Sequence, residues 1–421
     1  MLKRPRALPL GLLLVAVLVL LSALFATDPI RDAATGGVLA EATLQRPMGY
    51  VAMAPVSDVL DALTLFSVRQ HIALLVTIIV CYGAWWWLVG RKQLAALAPQ
   101  RRALRELTRL GVGLVVLVAI YTAVLILPRP MARLEAGVDI ITVDFHSHTK
   151  YSHDGRSDWT PEDVRTWHQN AGFNAAYITD HRTFEGARDA WANDPSDVAS
   201  NTVIIPGIEV VWRGEHVNVL DADRLYRGLL TTDLRDVDDA ALTIASGLPN
   251  NEPVLIQTFP GDASHMVAAH GPGTAGVRAM EIVDGAPRGL GQTRHDRAHL
   301  VHLADSLNLA LVAGSDHHGW GRTAAGWTLM FIPQFRGIAP PELSTQISRI
   351  LRRGGRGATK VAVRYLPDTD GGLALPFTVP VTAWGMMRTL SGDERVVWMA
   401  WLAAVYALWR LREARRRAPA A

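Results

Sequence analysis

A short segment at residues 144–155, DFHSHTKYSHDG, holds three of the fourteen histidines of this 421-residue chain together with two aspartates. His146 and His148 are two residues apart, so on a strand their side chains would point to the same face and could bind one ion together. A pair with this spacing is a weak signal by itself. The segment predicts a metal site only if further donors follow along the chain.

Further donors do follow, several of them at the ends of predicted strands. Thirteen of the fourteen histidines lie between residues 146 and 318, and several stand beside an acidic residue. The additional candidate ligands are His153, His181 in ITDH, Glu209 in PGIEV, His216 in GEH, and Asp316 and His318 in GSDHHG. Imidazole nitrogens and carboxylate oxygens without a thiolate suit Zn²⁺, Mn²⁺ or Fe²⁺. We therefore expect a site for divalent metal ions, in which a carboxylate such as Glu209 can bridge two of them.

Three cations, Lys150, Arg156 and Arg182, lie within a few residues of these candidates. Such groups can clamp a phosphate and offset the charge of its transition state. Ordinary solvation explains each of them equally well. Asp154 is a candidate proton carrier for the same chemistry. Lys150, Asp154 and Arg182 are therefore the candidate catalytic residues.

The other histidines have simpler explanations. Three on one predicted helix are three or four residues apart, which an exposed helix face explains without a metal. The same explanation is expected for His168 and His317. The three helical residues are His295, His299 and His302.

An α/β fold is predicted to position the donors, because short apolar runs alternate with helical stretches from residue 140 onward. The predicted strands cover residues 139–148, 174–181, 202–212, 216–220, 253–259, 278–284 and 309–318. The segment TPEDVRTWHQNAG predicts a helix with Thr160 as N-cap, Pro161 in its first turn and Gly172 beyond its end, and residues 292–307 predict another. In barrels of βα units the loops at one end converge on the active site, which fits donors at strand ends.

Part of the chain is expected to lie in a membrane, because 49% of its residues are apolar and its mean hydropathy is +0.15. Apolar runs predict transmembrane helices at residues 8–27, 71–90, 110–128 and 396–411. The first run is predicted to be an uncleaved anchor, with a cleaved secretory signal as the alternative. Residues 373–387 are predicted to be interfacial or packed on the domain, because two prolines interrupt them.

The basic residues predict the orientation of these helices. They are concentrated at residues 91–109, whereas the loop at residues 28–70 has three arginines. Positive loops stay in the cytoplasm. We therefore expect a membrane region at residues 1–129, an extracytoplasmic domain at residues 130–370, and an interfacial segment, a last helix and a cytoplasmic tail at residues 371–421. This arrangement places the chain in a bacterial inner (cytoplasmic) membrane.

Two properties of the composition agree with this topology. The only cysteine, Cys81, lies in a predicted span, so the outer domain has none, which suits an oxidising compartment. The isoelectric point near 9.1 is explained by basic residues beside the spans. It therefore predicts no specific nucleic-acid binding.

The ordered set DFHSHTKYSHDG, ITDH, PGIEV and GSDHH resembles the four motifs of the PHP (polymerase and histidinol phosphatase) family of metal-dependent phosphoesterases. The resemblance covers about residues 139–364. It implies a distorted seven-stranded βα barrel and two or three divalent ions that hydrolyse phosphate esters. By position it implies His146, His148 and Asp316 at a first metal, a bridging Glu209, and His216 at a second. It implies His153, His181 and His318 at a third.

Two departures from the family pattern affect this assignment. Where many relatives have one aspartate, this chain has His153 followed by Asp154, and the spacing from His148 favours His153. Where the family has a histidine before a proline, this chain has Phe259, which cannot bind a metal. Two metals instead of three, a substitute ligand or a site that binds without turnover remain open. The substitute would be His265 or His270, whereas Asn218 and Glu281 are expected to be structural or to act behind the ligands.

The sequence thus predicts a membrane-anchored hydrolase of phosphate esters that uses metal-activated water. Its partners would be the membrane and either a phosphorylated small molecule or an envelope phosphoester. A catalytically decayed metal- or ligand-binding sensor is the alternative, motivated by Phe259 and by four spans. An amidohydrolase fits less well, because Glu209 occupies the place of the lysine that often bridges metals in those enzymes.

Overall fold

The computed structural model describes residues 7–95, 97–193, 202–220, 239–248, 253–258, 268–269 and 273–417. Within them the helices are α1 (Ala7–Ser22), α2 (Met48–Ala52), α3 (Ala54–Thr64), α4 (Val68–Trp85), α5 (Arg91–Leu94), α6 (Pro99–Ile126), α7 (Pro161–Ala171), α8 (Glu185–Asn193), α9 (Asp239–Ser246), α10 (Pro287–Leu307), α11 (Pro340–Gly354), α12 (Thr378–Arg388) and α13 (Gly392–Arg417). The strands are β1 (Ile30–Asp32), β2 (Ala42–Gln45), β3 (Arg133–Ala136), β4 (Ile140–Asp144), β5 (Ala175–Ile178), β6 (Val203–Trp212), β7 (Glu215–Leu220), β8 (Leu255–Gln257), β9 (Ala279–Asp284), β10 (Ala310–Gly314), β11 (Gly326–Phe331) and β12 (Lys360–Arg364).

The predicted α/β class is confirmed, and ten of the described strands form one curled sheet. Their order is β1-β12-β11-β4-β5-β6-β7-β8-β9-β10, while β2 and β3 form a separate ribbon. β4, β5 and β6 are parallel, as are β8, β9 and β10, whereas β7 is antiparallel to both of its neighbours. The curl brings β10 back to β11, where Ala313 N donates to Thr328 Oγ1 at 2.8 Å. The result is a half-barrel, so a closed seven-stranded βα barrel stays a prediction.

Helix α7 begins and ends where the sequence predicts. Thr160 Oγ1 accepts from Asp163 N at 3.2 Å, and Thr160 N donates to Asp163 Oδ2 at 2.9 Å, which completes a capping box. Gly172 closes the helix at φ 90°, where a side chain would meet Leu134 O at 2.2 Å. These local signals fix α7 immediately after the loop that carries the first histidines.

Helix α11 covers one face of the sheet with an apolar stripe. Leu343, Ile347 and Leu351 recur every four residues, and all three are buried in one apolar cluster that also contains Val143 and Tyr177. Each buried side chain of this kind stabilises the fold by about 1.5–3 kcal/mol. The packing leaves the carboxyl ends of the parallel strands free to carry polar groups.

Two helical segments are long and apolar enough to cross a membrane. The segment Val68–Leu94 comprises α4, one π-helical turn and α5, and the segment Pro99–Ile126 is α6. Their mean hydropathies are 2.1 and 2.3. In the apolar stretches of these two segments, 0% and 6% of the residues are buried inside the molecule. The first predicted span corresponds to a shorter apolar helix, Pro9–Phe25, and the last lies within α13. The predicted four-span topology and domain boundaries stay predictions.

The half-barrel docks on the ends of the apolar helices through buried polar contacts. Asp61 of α3 forms ion pairs with Arg129, which follows α6, and with Arg364, which ends β12, both at 2.5 Å. At the start of α4, Gln70 Nε2 donates to Thr369 Oγ1 at 2.8 Å. All of these side chains are largely or fully buried, so the two parts of the chain are held in a defined arrangement.

Candidate metal centre

The loops after neighbouring strands bring the donors together. The sequence predicted His146 and His148 on a strand, but β4 ends at Asp144 and both histidines lie in the segment after it. This segment is held on its far side, where Asp316 N donates to His146 O at 2.9 Å and His148 N donates to His317 O at 3.1 Å. Because these bonds continue the extended pairing, alternate side chains still face the same way.

The first donor group comprises His146, His148 and Asp316. Asp316 Oδ1 lies 3.3 Å from His146 Nε2 and 3.1 Å from His148 Nε2. Glu209 Oε2 lies 2.9 Å and 3.3 Å from the same two nitrogens. Ligands held about 2.1 Å from a tetrahedral ion are roughly 3.4 Å apart. The four donor atoms therefore have the spacing of a coordination shell.

The second donor group comprises His148, Asp154, His181 and His318. Asp154 Oδ2 lies 3.1 Å from His318 Nε2 and 3.3 Å from His181 Nε2. The rings of His148 and His318 stack with their centroids 4.1 Å apart. His148 is thus shared between the first and second groups, which places them side by side.

His153, favoured by the sequence over Asp154, does not join these donors. Its side chain is 76% exposed, and it belongs to none of the donor groups found among the described residues. Ser152 Oγ donates to Asp154 Oδ1 at 2.7 Å, which turns the neighbouring carboxylate towards His181. The turn after Tyr151 therefore presents Asp154 to this group, and His153, whose ring centroid lies 4.9 Å from that of His181, stays a predicted ligand.

The third donor group comprises His181, Glu209 and His216. Glu209 Oε1 lies 2.5 Å from His216 Nδ1, and Oε2 lies 3.5 Å from His181 Nδ1. The hairpin of β6 and β7 pairs His216 with Val211, which brings this partly exposed imidazole beside the carboxylate. The two oxygens of Glu209 thus face different donors, as a carboxylate between two ions must.

Two buried acids lie behind His146. Glu281 is 0% exposed, and its Oε1 lies 3.0 Å from His146 Nδ1. A carboxylate in this position holds the imidazole with its other nitrogen towards the donors. His146, Glu281 and Asp284 form a further donor group. Asp284 was not anticipated, although its position as an acid at the end of a predicted strand was an available signal. A methyl group at Gly314 would lie 2.2 Å from Glu281 Oε1, so only glycine allows this approach.

His168 and His317 are buried, and their predicted exposure is wrong. His168 is 1% exposed, and its Nε2 lies 2.6 Å from Asp144 Oδ2. His317 stacks on Trp167 at 4.1 Å, and its burial lowers its pKa to about 3. Asp144 also accepts from Ser315 N at 2.9 Å. The two histidines therefore fasten the loops after β4 and β10 to α7.

Opposite charges are concentrated among the donors. Burial disfavours the charged form of His148, but Asp316 and Glu209 raise its pKa to about 9. Burial likewise opposes ionisation of Glu209, yet His146 and His148 hold the pKa of that carboxyl well below its usual range. The protein groups alone thus pair protonated imidazoles with ionised carboxylates. A divalent cation satisfies the same charge pattern in place of those protons.

Ring nitrogens without hydrogen bonds provide an independent test of a metal site. Both nitrogens of His148 and Nε2 of His318 are buried without a hydrogen-bond partner among the described residues. Carboxylate oxygens lie a short distance away, but their directions do not satisfy the geometry of a hydrogen bond. An unpaired buried polar atom costs about 1–3 kcal/mol, so this orientation requires a compensating ligand. The histidine and acid cluster therefore fits a metal site.

The three predicted cations differ in what their side chains lie against. Arg182 lines a cavity of about 480 Å³ together with Asp154, His216 and other donors. Lys150 and Arg156 instead lie over aromatic rings, at 5.1 Å from the centroid of Tyr151 and 4.9 Å from that of Trp159. Arg182 is therefore the candidate best placed to meet a bound anion. Phe259, His265 and His270 lie outside the described residues.

Comparison with known proteins finds distant structural similarities only. No family model and no curated protein matches the chain. Among solved structures, PsfC from Pseudomonas syringae PB-5123 is 15% identical with a TM-score of 0.37, covering 58% of this chain and 97% of PsfC. An amidohydrolase from Chromobacterium violaceum, solved with sulfate and without metal, is 14% identical with a TM-score of 0.27, covering 48% of this chain and 96% of that protein. Similarities this distant decide neither the fold nor the function.

Proposed function

We propose that this chain is a membrane-anchored, metal-dependent phosphoesterase with a site of the PHP type. The observation that carries the proposal is the position of Glu209 between two sets of imidazoles. Its Oε2 lies within 3.3 Å of His146 and His148, and its Oε1 lies 2.5 Å from His216. A carboxylate with donors on both sides suits a pair of Mn²⁺, Zn²⁺ or Fe²⁺ ions.

The donor set favours phosphate esters as substrates. Divalent ions bound at such donors supply Lewis acidity towards water and phosphoryl oxygens. Arg182, at the edge of the adjoining cavity, would bind a non-bridging oxygen of the substrate. Lys150 would add positive charge, and Asp154, which lines the same cavity as Arg182, would exchange a proton with water there.

The proposed location follows from the two apolar helices and the distribution of charge. The half-barrel lies at the ends of α4 and α6 where Ser67 caps one helix and Leu127 follows the other. The basic segment at residues 91–109 lies at their opposite ends. By the positive-inside rule, this arrangement supports an extracytoplasmic position of the donors at a bacterial inner membrane.

The alternative is a sensor that binds metal or ligand on the same scaffold without turnover. Phe259, at a usual ligand position of the family, favours this alternative. A sensor would retain tightly bound ions but hydrolyse no phosphoester.

The experiment uses the full chain purified in detergent, with elemental analysis and a panel of phosphomonoesters and phosphodiesters in added Mn²⁺, Zn²⁺ or Fe²⁺. We expect stoichiometric metal and turnover of at least one ester. His146→Ala should abolish both, whereas His299→Ala, on the exposed face of α10, should change neither. Metal without turnover supports the sensor. Undiminished turnover in the folded His146→Ala protein refutes the assignment of the site.

A further inference from the structure

A second cavity connects the donors to the ends of the apolar helices. It has a volume of about 420 Å³. Its walls include Asp154, Asp316 and His318 among the donors and also Val124 and Leu125 of α6. This volume is within the range of about 300–1,000 Å³ typical of small-molecule sites. The cavity therefore extends from the candidate metal centre to a segment apolar enough to lie in a membrane.

Part of the lining of this cavity is apolar. Leu63 of α3, Val124 and Leu125 of α6, and Trp320 contribute to its lining. Val124 is 4% exposed, whereas Leu125 and Trp320 are 42% and 45% exposed. Such a surface gains free energy when it buries the hydrocarbon part of a ligand.

The contacts around the cavity tie the candidate metal centre to the membrane helices. Gly321 N, three residues after His318, donates to Leu125 O at 2.8 Å. Deeper in the same lining, His71 Nδ1 of α4 lies 3.0 Å from Tyr121 Oη of α6. Both contacts lie within about one turn of the helix ends facing the half-barrel. The cavity thus begins beside the donors and reaches the level at which the exposed apolar surfaces of α4 and α6 start.

We infer that the substrate is a phosphoester carried on a hydrocarbon chain in the membrane. This inference rests on the proposed function and names its substrate class. The phosphate would lie at the donors and the first methylenes of the chain beside Leu125 and Trp320, with the remainder among the lipids. Hydrolysis breaks the P–O bond to the lipid: the oxygen of water goes to phosphorus, and one of its protons ends on the lipid oxygen.

The second opening of the site supports this division of products. The cavity of about 480 Å³ at Arg182 shares Asp154 with the membrane-facing cavity, and the 76% exposed His153 lies at its edge. The water-soluble phosphate can leave through that opening. The lipid alcohol stays on the apolar side.

The test compares methyl with n-hexadecyl esters, as monophosphates and as diesters with glycerol, at equal concentration with the full chain in detergent micelles. We expect kcat/KM to be at least about tenfold higher for the longer chain, the effect of burying roughly two methylenes. Trp320→Ala and Leu125→Gln should each reduce this preference. The control is Phe331→Ala, which should leave the chain-length preference unchanged. Phe331 is 66% exposed and pairs with Ile140 at the opposite end of β4.

The outcomes separate failure of the inference from failure of the proposed function. Turnover of both chain lengths without preference, or a preference that the two cavity substitutions leave intact, overturns the inference alone. Without any turnover, the proposed function fails, and photolabelling decides the inference. A hexadecyl phosphonate with a diazirine in its chain should label residues 63–64, 124–125 or 320, and hexadecyl phosphonate should compete where methyl phosphonate does not. Labelling elsewhere contradicts the inference.

Discussion

Replacing Glu281 by glutamine should weaken metal binding without removing any proposed ligand. Glu281 is 0% exposed, and its Oε1 lies 3.0 Å from His146 Nδ1, the nitrogen that faces away from the other donors. Losing a carboxylate behind a metal-bound histidine typically lowers metal affinity about 10- to 100-fold. Glutamine keeps one oxygen in a similar position but loses the charge and replaces the other oxygen by an NH2 donor, so we expect a loss of about tenfold, or about 1.4 kcal/mol. Glu281→Ala also leaves the imidazole without its partner, so we expect a loss nearer 100-fold.

The assay is competition for Mn²⁺ or Zn²⁺ between the full chain in detergent and a chelator of known affinity. Glu342→Gln is the matched control, because Glu342 lies on the exposed side of α11 and contacts Gln346 at 3.3 Å. The control should bind metal as the unsubstituted chain does. If folded Glu281→Gln and Glu281→Ala proteins both keep the original affinity, His146 is not a ligand oriented by this carboxylate.

Three further predictions concern stability, each measured by thermal unfolding of the full chain in detergent. Burial and then the charge of Glu394 raise the pKa of Asp58 from 3.8 to about 7. The folded chain therefore binds the proton of Asp58 more tightly than the unfolded chain does. The free energy of unfolding should fall by up to about 4 kcal/mol as the pH rises from about 4 to 7. Asp58→Asn should flatten that dependence, and an unchanged pH profile would contradict the burial argument. Gly314→Ala places a methyl 2.6 Å from His146 Cβ and should destabilise by about 1–3 kcal/mol, whereas Gly357→Ala, with no atom within 4 Å, should have little effect. Thr160→Ala removes the N-cap of α7 and should cost about 1 kcal/mol; an unaltered Tm would show that the capping box contributes little.

Local features of the fold were readable from the sequence. The ends of α7 depend on Thr160, Pro161 and Gly172, whose effects act within one helical turn. The apolar runs that form α4 and α6 are likewise evident from composition, because a membrane-length helix needs little beyond about 20 apolar residues. β1, β11 and β12 were not predicted, and their pairing with one another and with β4 is decided by the curl of the sheet.

The candidate site shows the same division. Nearly every histidine and acid of the cluster could be identified as a strand-end donor. The choice between His153 and Asp154 could not be made from the sequence, because it depends on the direction in which one turn presents adjacent side chains. Burial of His168 was equally hidden, since it requires Asp144 to face α7 across 24 residues of chain.

By itself, the sequence determined the kinds of donor atoms, the absence of thiolates near them, the α/β alternation and the presence of long apolar helices. Only the tertiary structure decided that Glu209 lies between two groups of imidazoles, that Glu281 and Asp284 lie behind His146, and that a cavity connects the donors to α6. The physical reason is the distance along the chain over which each interaction acts. Residue chemistry, capping and hydrophobic periodicity act within a few positions, whereas a metal centre depends on distances of about 3 Å between residues far apart in the chain, which the curvature of the sheet and the docking of its loops determine.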